Sequence, residues 1–165
     1  MIGIKLTPSE IAICNYVAKY RDYETSKHAG ERIQSKKQNA LQLLTYGTIA
    51  EYAVAKFLNL NFDLNCEYRK FGADLTTPTG KTIDVKCSQT QGGNLNAVDW
   101  STNKPCDFFV LTEIHHAHVA IVGWIDRMSF LTDANKRDVG NGPFFSVPQS
   151  KLVAFNELND KKALW

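Results

Sequence analysis

The sequence has no C-x-x-C pair, no internal repeat, no Gly- or Pro-rich linker and no marked excess of one charge. No apolar run approaches the ~20 residues that a membrane span needs. Each absence excludes something. Without C-x-x-C spacing a zinc site is not expected. Cys14, Cys66, Cys87 and Cys106 are scattered, mostly in apolar runs, and read as reduced core residues of an intracellular protein. The opening "MIGIKLTPSE" lacks a basic region followed by a long apolar run, so a soluble, cytoplasmic chain is expected, with no membrane partner. A formal net charge of +2 excludes a strongly basic coat but leaves room for one local basic surface.

What is present suits one domain, 1–165, with a single core and an N-terminal helical and basic segment at about 1–40: 44% of residues are hydrophobic and 22% charged. "TPSEIAICNYVAKY" opens like a helix, with Thr7 as N-cap, Pro8 in the first turn and Glu10 completing a capping box. "RDYETSKHAGERIQSKKQN" is polar and without apolar period, hence a surface segment or a basic arm. "ALQLLTYGTIAEYAVAKFLNL" is the clearest helix, weakened only by Gly47. Its polar sector holds Tyr52, Lys56 and Asn59, while Glu51 neighbours Leu44, Val54, Ala55 and Leu58. A hairpin follows, turning at "TPTG" and carrying Asp74 on its first strand and Asp84 on its second.

"SQTQGGNLNAVDWSTNKP" reads as a long functional loop. "DFFVLTEI" and "HVAIVGWI" read as central strands joined at "HHAH". "DRMSFL" is a short helix capped by Asp126, "DANKRDVGNGP" a polar loop and "FFSVP" an edge strand. The order predicts an α/β or α+β domain with a mixed central β-sheet flanked by helices.

The informative stretch is "KTIDVKCS". As a strand it places Asp84, Lys86 and Ser88 on one face and Ile83, Val85 and Cys87 on the other. Taken alone, Asp84 and Lys86 read as an ion pair on a half-exposed strand. Glu51 alone reads equally as a helix-edge carboxylate. Together with Asp74 they change meaning. Carboxylates held close repel and call for a cation, and oxygen-only donors select a hard one, Mg²⁺ or Mn²⁺. Lys86 is then a candidate to orient water, steady a phosphate or act as general base.

Glu51 in "GTIAEYAVAKFL", Asp74 in "GAD" and Asp84-Val85-Lys86, in this order and ahead of two apolar strands, resemble the PD-(D/E)xK nuclease superfamily over roughly Gly47 to Ile125. The layout is similar to small phage and prokaryotic members, which would place a viral protein in the host cytoplasm. Ala73 stands where the motif's proline is expected. The resemblance implies a restriction-endonuclease-like core and a metal-dependent endonuclease acting on DNA. It implies Asp74 and Asp84 as metal ligands, the Val85 carbonyl as a backbone ligand, Lys86 as catalytic lysine and Glu51 as a helix acid contacting the metal or its waters. It also implies Mg²⁺ (or Mn²⁺) as cofactor and a 5′-phosphate product.

Given such a site, Arg32, Lys36 and Lys37 become phosphate contacts, with Lys136 and Arg137 as further candidates. Gln89 and Lys104, in the polar loop with Gln91, Asn94, Asn96 and Trp100, either enter a groove or belong to an ordinary loop pinned by Trp100. His115, His116 and His118 sit in a turn, and neither a zinc site nor a ββα-metal nuclease is expected there. Cutting both strands calls for two active sites, which a homodimer supplies. The alternatives are a Holliday-junction resolvase and a non-catalytic nucleic-acid-binding module of the same fold. An RNA substrate also stays open.

Overall fold

The computed structural model describes residues 1–28, 40–68, 72–115 and 118–155. Two antiparallel edges flank a parallel pair in its main sheet. The strands are β1 (Ile2–Lys5), β2 (Leu75–Thr76), β3 (Thr82–Ser88), β5 (Phe108–His115) and β6 (His118–Asp126), with β4 (Leu95–Val98) lying elsewhere. The order is β1-β6-β5-β3-β2; β3 and β5 run parallel and every other pair is antiparallel. The chain is therefore mixed α/β with a mixed five-stranded sheet, as the order of sequence elements predicts.

Helices α1 (Pro8–His28) and α2 (Ala40–Leu58) cover one face. Ala50, Val54, Ala55 and Leu58 of α2 pack on Ile83, Val85, Val110 and Ile121. The alternation expected for β3 holds: Ile83 and Val85 enter this core and Cys87 packs against it. The other face meets a second sheet that the sequence reading did not anticipate. It has the order β4-β8-β7, with β7 at Lys136–Asp138 and β8 at Pro143–Val147. Leu95, Ala97, Phe145 and Val147 of this sheet pack with Phe109, Leu111, Val122 and Ile125 of the main sheet. Phe130 of the short helix α3 (Arg127–Phe130) joins them.

Three expectations are corrected. "FFSVP" is the central strand of the second sheet, not an edge strand, because both polar loops contribute short partners, β4 and β7. Exposed alternate residues mask such strands in sequence: β4 alternates buried and exposed, and β7 is exposed throughout. The polar run after Tyr20 is helical as far as His28. It is held by tertiary contacts of Arg21 rather than by an apolar stripe, and by local bonds such as the 2.7 Å pair of Lys27 with Glu24. Of the four free cysteines, Cys14 and Cys106 are core residues, whereas Cys66 and Cys87 are only half-buried.

Several local expectations hold. The Thr7 N–H donates to Glu10 Oε2 at 2.7 Å and the Glu10 N–H to Thr7 Oγ1 at 3.3 Å, a reciprocal capping box. Asp126 caps α3 by accepting from the Ser129 N–H at 2.9 Å. α2 ends with Asn59 at φ 56° and the Leu60 N–H donating to the Ala55 carbonyl at 2.8 Å, a Schellman-type stop. The "TPTG" turn closes through the Gly80 N–H to the Thr77 carbonyl at 2.9 Å, with Gly80 at φ 83°. No helix among the described residues is long and apolar enough to cross a membrane.

Candidate functional site

The site forms where β2 stops short. Only Leu75 and Thr76 pair with β3, opposite Ile83 and Thr82. Asp74, expected on the first strand of the hairpin, lies just before β2, where its N–H donates to the Ile83 carbonyl at 3.1 Å. Strand alternation turns the backbone of Val85 to the same side as that of Ile83, past the end of the paired segment. There the Asp74 carboxylate takes the place of a missing strand: the Val85 N–H donates to Asp74 Oδ2 at 2.7 Å. The Val85 carbonyl is directed to the same edge by the same alternation.

Asp84 faces away from α2, with 1% of its side chain exposed. Lys104, from the segment after β4, donates to Asp84 Oδ1 at 2.8 Å, and Lys86 Nζ lies 2.5 Å from Asp84 Oδ2. The Lys86 contact lacks hydrogen-bond alignment, so Asp84 Oδ2 is buried without a hydrogen bond. Glu51 reaches the edge from α2, where Arg21 Nη1 of α1 pairs with its Oε2 at 2.7 Å. The same guanidinium donates from Nη2 to the Asp63 carbonyl at 2.8 Å and from Nε to the Asn65 carbonyl at 3.4 Å. Arg21 thus ties both helices to the segment that delivers Asp74.

The charges of these groups act on one another. Burial, then the neighbouring charges of Glu51 and Asp84, lifts the Asp74 carboxyl well above the ordinary aspartate range; Lys104 and the Val85 N–H oppose this. Burial also lifts Glu51, against the pull of Arg21 and Lys104. Burial works against ionisation of Asp84 too, but there Lys86 and Lys104 outweigh it and hold the carboxyl below its usual range. Burial disfavours the Lys104 charge, yet Asp74 and Asp84 keep its ammonium above the usual lysine range. The acids repel one another, and three basic side chains converge on two of them.

The structure therefore sets Asp74 against the Val85 N–H and Lys86 against Asp84 on one strand edge, with Glu51 near enough for its charge to act on both aspartates. Lys104, read from sequence as a DNA contact in the polar loop, lies among them instead of reaching outward. Gln89 is exposed at the end of β3. The loop beyond it is pinned by Glu113, which accepts from the Gly92 N–H at 2.7 Å and from Gln149 Nε2 at 2.6 Å. Arg32, Lys36 and Lys37 lie outside the described residues, as does His116. Lys136 pairs with Asp99 at 2.8 Å, and Arg137 Nη1 donates to the Lys136 carbonyl at 2.7 Å. Arg21 is the residue the sequence reading missed. Its signal was faint: a lone arginine in a polar run, with nothing local to indicate a partner on α2.

Among the described residues, no group of three or more His, Cys, Asp or Glu side chains is gathered so that it could hold a metal ion. The donors that are present are oxygens: the Asp84 carboxylate, which faces two ammonium groups, the Asp74 carboxylate and the strand-edge backbone of Val85. A hard cation that keeps much of its water needs only one or two carboxylates, so this donor set fits Mg²⁺ or Mn²⁺. The cysteines do not compete for this role. Burial pushes the thiols of Cys14 and Cys106 up to about 12 and that of Cys87 to about 11, which keeps them protonated and poor ligands. An apolar groove of about 610 Å³, lined by Ile13, Tyr16, Tyr52, Phe62 and Leu64 among others, contains no acid or base convergent on it. Compared with family models, curated proteins and solved structures, the chain matches none.

Proposed function

We propose that this protein is a Mg²⁺-dependent endodeoxyribonuclease with a PD-(D/E)xK-type site on a restriction-endonuclease-like core. The observation that carries the reading is the Asp74 carboxylate seated on the Val85 N–H at 2.7 Å, beside a buried Asp84 that the ammonium groups of Lys86 and Lys104 contact at 2.5 and 2.8 Å. A carboxylate bridged to the strand edge, a second one buried on that strand and a lysine two residues on form a compact acidic site with its own cation. Such a site suits a phosphodiester better than a neutral substrate.

In this reading Asp74, Asp84 and the Val85 carbonyl hold the ion. When bound, Mg²⁺ supplies positive charge to the phosphate and lowers the pKa of water. Lys86, 25% exposed at the outer side of Asp84, faces the substrate and orients the attacking water or steadies the phosphate. Arg21 fixes Glu51 and the approach to Asp74, so the acids are positioned before substrate arrives. Hydrolysis breaks the bond to the 3′ oxygen and leaves a 5′-phosphate. Gln89 and the segments bearing Arg32, Lys36 and Lys37 provide the DNA contacts, and two copies provide two cuts.

Incubation of the purified protein with supercoiled, linear and four-way-junction DNA in Mg²⁺ tests this, with Asp84→Ala and Lys86→Ala as controls. Cleavage that needs Mg²⁺ and both side chains supports the proposal. Absence of cleavage by the wild type, or equal cleavage by the variants, leaves a nucleic-acid-binding module as the better reading. Selective cutting of junctions identifies a resolvase.

A further inference from the structure

Asp84 carries two ammonium groups, and they are not equivalent. Lys86 is its neighbour on β3, two residues away on the same face, so the strand itself keeps the two side chains together. Lys104 comes from 20 residues further along the chain, donates an aligned hydrogen bond to Oδ1 at 2.8 Å and has only 14% of its side chain exposed. Two cations on one carboxylate repel each other. The Lys104 ammonium stays because burial leaves the acids without enough water to screen them. It is drawn to Asp74 as well as Asp84, the two side chains assigned above to a divalent ion.

From this geometry we infer that Lys104 is the resident counter-cation of the metal-free site, and that a divalent ion binding at Asp84 and Asp74 displaces its ammonium. The inference rests on the metal site of the proposed function. A divalent ion at Asp84 takes over the charge that the second ammonium balances; the strand keeps Lys86 beside the carboxylate, whereas Lys104 is brought to it only by the fold.

The surroundings let the side chain leave without moving the backbone. Arg127 Nη1 donates to the Lys104 carbonyl at 2.6 Å and Nη2 to the Thr102 carbonyl at 2.5 Å, clamping the segment at both residues. On that side lies a shallow cleft of about 480 Å³, lined by Thr82, Asn103, Lys104 and Arg127 among others. Lys104 itself lines this cleft, and in the proposed exchange its stem turns about the clamped main chain to place the ammonium there. Exchange of one cation for another thus needs no local unfolding, and metal binding and Lys104 release are linked in both directions.

The test uses the wild-type protein. Lysine acylation by a water-soluble succinimidyl ester, read residue by residue by mass spectrometry, is measured with and without saturating Mg²⁺, and Mg²⁺ binding is measured by calorimetry on the same sample. The inference expects Lys104 to be protected without metal and its labelling to rise several-fold with Mg²⁺, while labelling of Lys56 stays constant. It also expects Lys104→Met to bind Mg²⁺ about tenfold more tightly than wild type, with Lys104→Arg close to wild type. Binding heat with unchanged Lys104 labelling overturns the inference and leaves the metal site standing. Absence of binding heat together with absence of cleavage overturns the proposed function and the inference with it. If Lys104→Met does not fold, the wild-type labelling still decides.

Discussion

Arg21 and Glu51 meet at 2.7 Å across two helices, with only 15% and 12% of their side chains exposed. The pair carries more than a surface ion pair would, because Arg21 also holds two backbone carbonyls of the segment leading to Asp74. Arg21→Ala leaves Glu51 buried beside Asp84 and Asp74 without its countercharge. The expected loss is about 3 kcal/mol of unfolding free energy, measured by urea denaturation. The double variant Arg21→Met/Glu51→Gln removes both charges and loses less than Arg21→Ala alone. An Arg21→Ala protein as stable as wild type refutes this account of α1.

Under the proposed function, Lys86 serves chemistry rather than stability. Its contact with Asp84 lacks hydrogen-bond alignment, and Lys104 still neutralises Asp84 when Lys86 is removed. Under the proposed function, Lys86→Ala lowers the cleavage rate by about 100-fold or more. Its far-UV circular dichroism and melting temperature stay near those of wild type. Loss of cleavage accompanied by loss of the folded spectrum would remove the catalytic interpretation.

Asp74 gives a pH signature. Its carboxyl is lifted well above the ordinary value of 3.8 by burial and by the charges of Glu51 and Asp84. A carboxyl that holds its proton more tightly when folded stabilises the native state fully below its unfolded pKa. That contribution is lost as pH rises towards the folded value. Asp74→Asn cannot ionise, so the decline in stability above pH 3.8 should be shallower in this variant. Urea midpoints taken in metal-free buffer across the acid range check the slope; parallel curves for the two proteins contradict it.

Two glycines predict opposite outcomes for the same substitution. A Cβ at Gly47 in α2 meets no atom within 4 Å, so Gly47→Ala gains helix propensity worth about 0.5–1 kcal/mol. A Cβ at Gly123 on β6 would stand 2.7 Å from the Val153 carbonyl oxygen. That oxygen is held by the Trp124 N–H at 2.9 Å, and the Val153 N–H returns a bond to the Trp124 carbonyl at 2.8 Å. Gly123→Ala must part these chains and costs about 1–3 kcal/mol. Thermal melts of the two variants should move in opposite directions.

α2, the Thr7–Glu10 box, the Gly80 turn, the Asp126 cap and the two faces of β3 are legible in the sequence. All of these rest on periodicity or on bonds between residues a few positions apart. β4 and β7 are not legible there, because these short polar strands become strands only with β8 between them. Nor is the extension of α1 past Tyr20, since helix there depends on Arg21 finding partners on α2 and in the 63–65 segment. The acids of the candidate site were legible because a carboxylate on an apolar helix face, or beside apolar strand residues, stands out against its neighbours.

By itself, then, the sequence determined which side chains share a face, where the hairpin turns and which acids are out of place. Those properties follow from backbone geometry over a few residues. Only the tertiary structure decided which cations meet those acids. Arg21 lies 30 residues from Glu51 and Lys104 lies 20 from Asp84, and the packing of α1 on α2 and the path of the chain after β4 bring them together. β2 pairs with β3 over two residues only, beginning at Leu75, and that late start leaves the Val85 N–H free to receive Asp74.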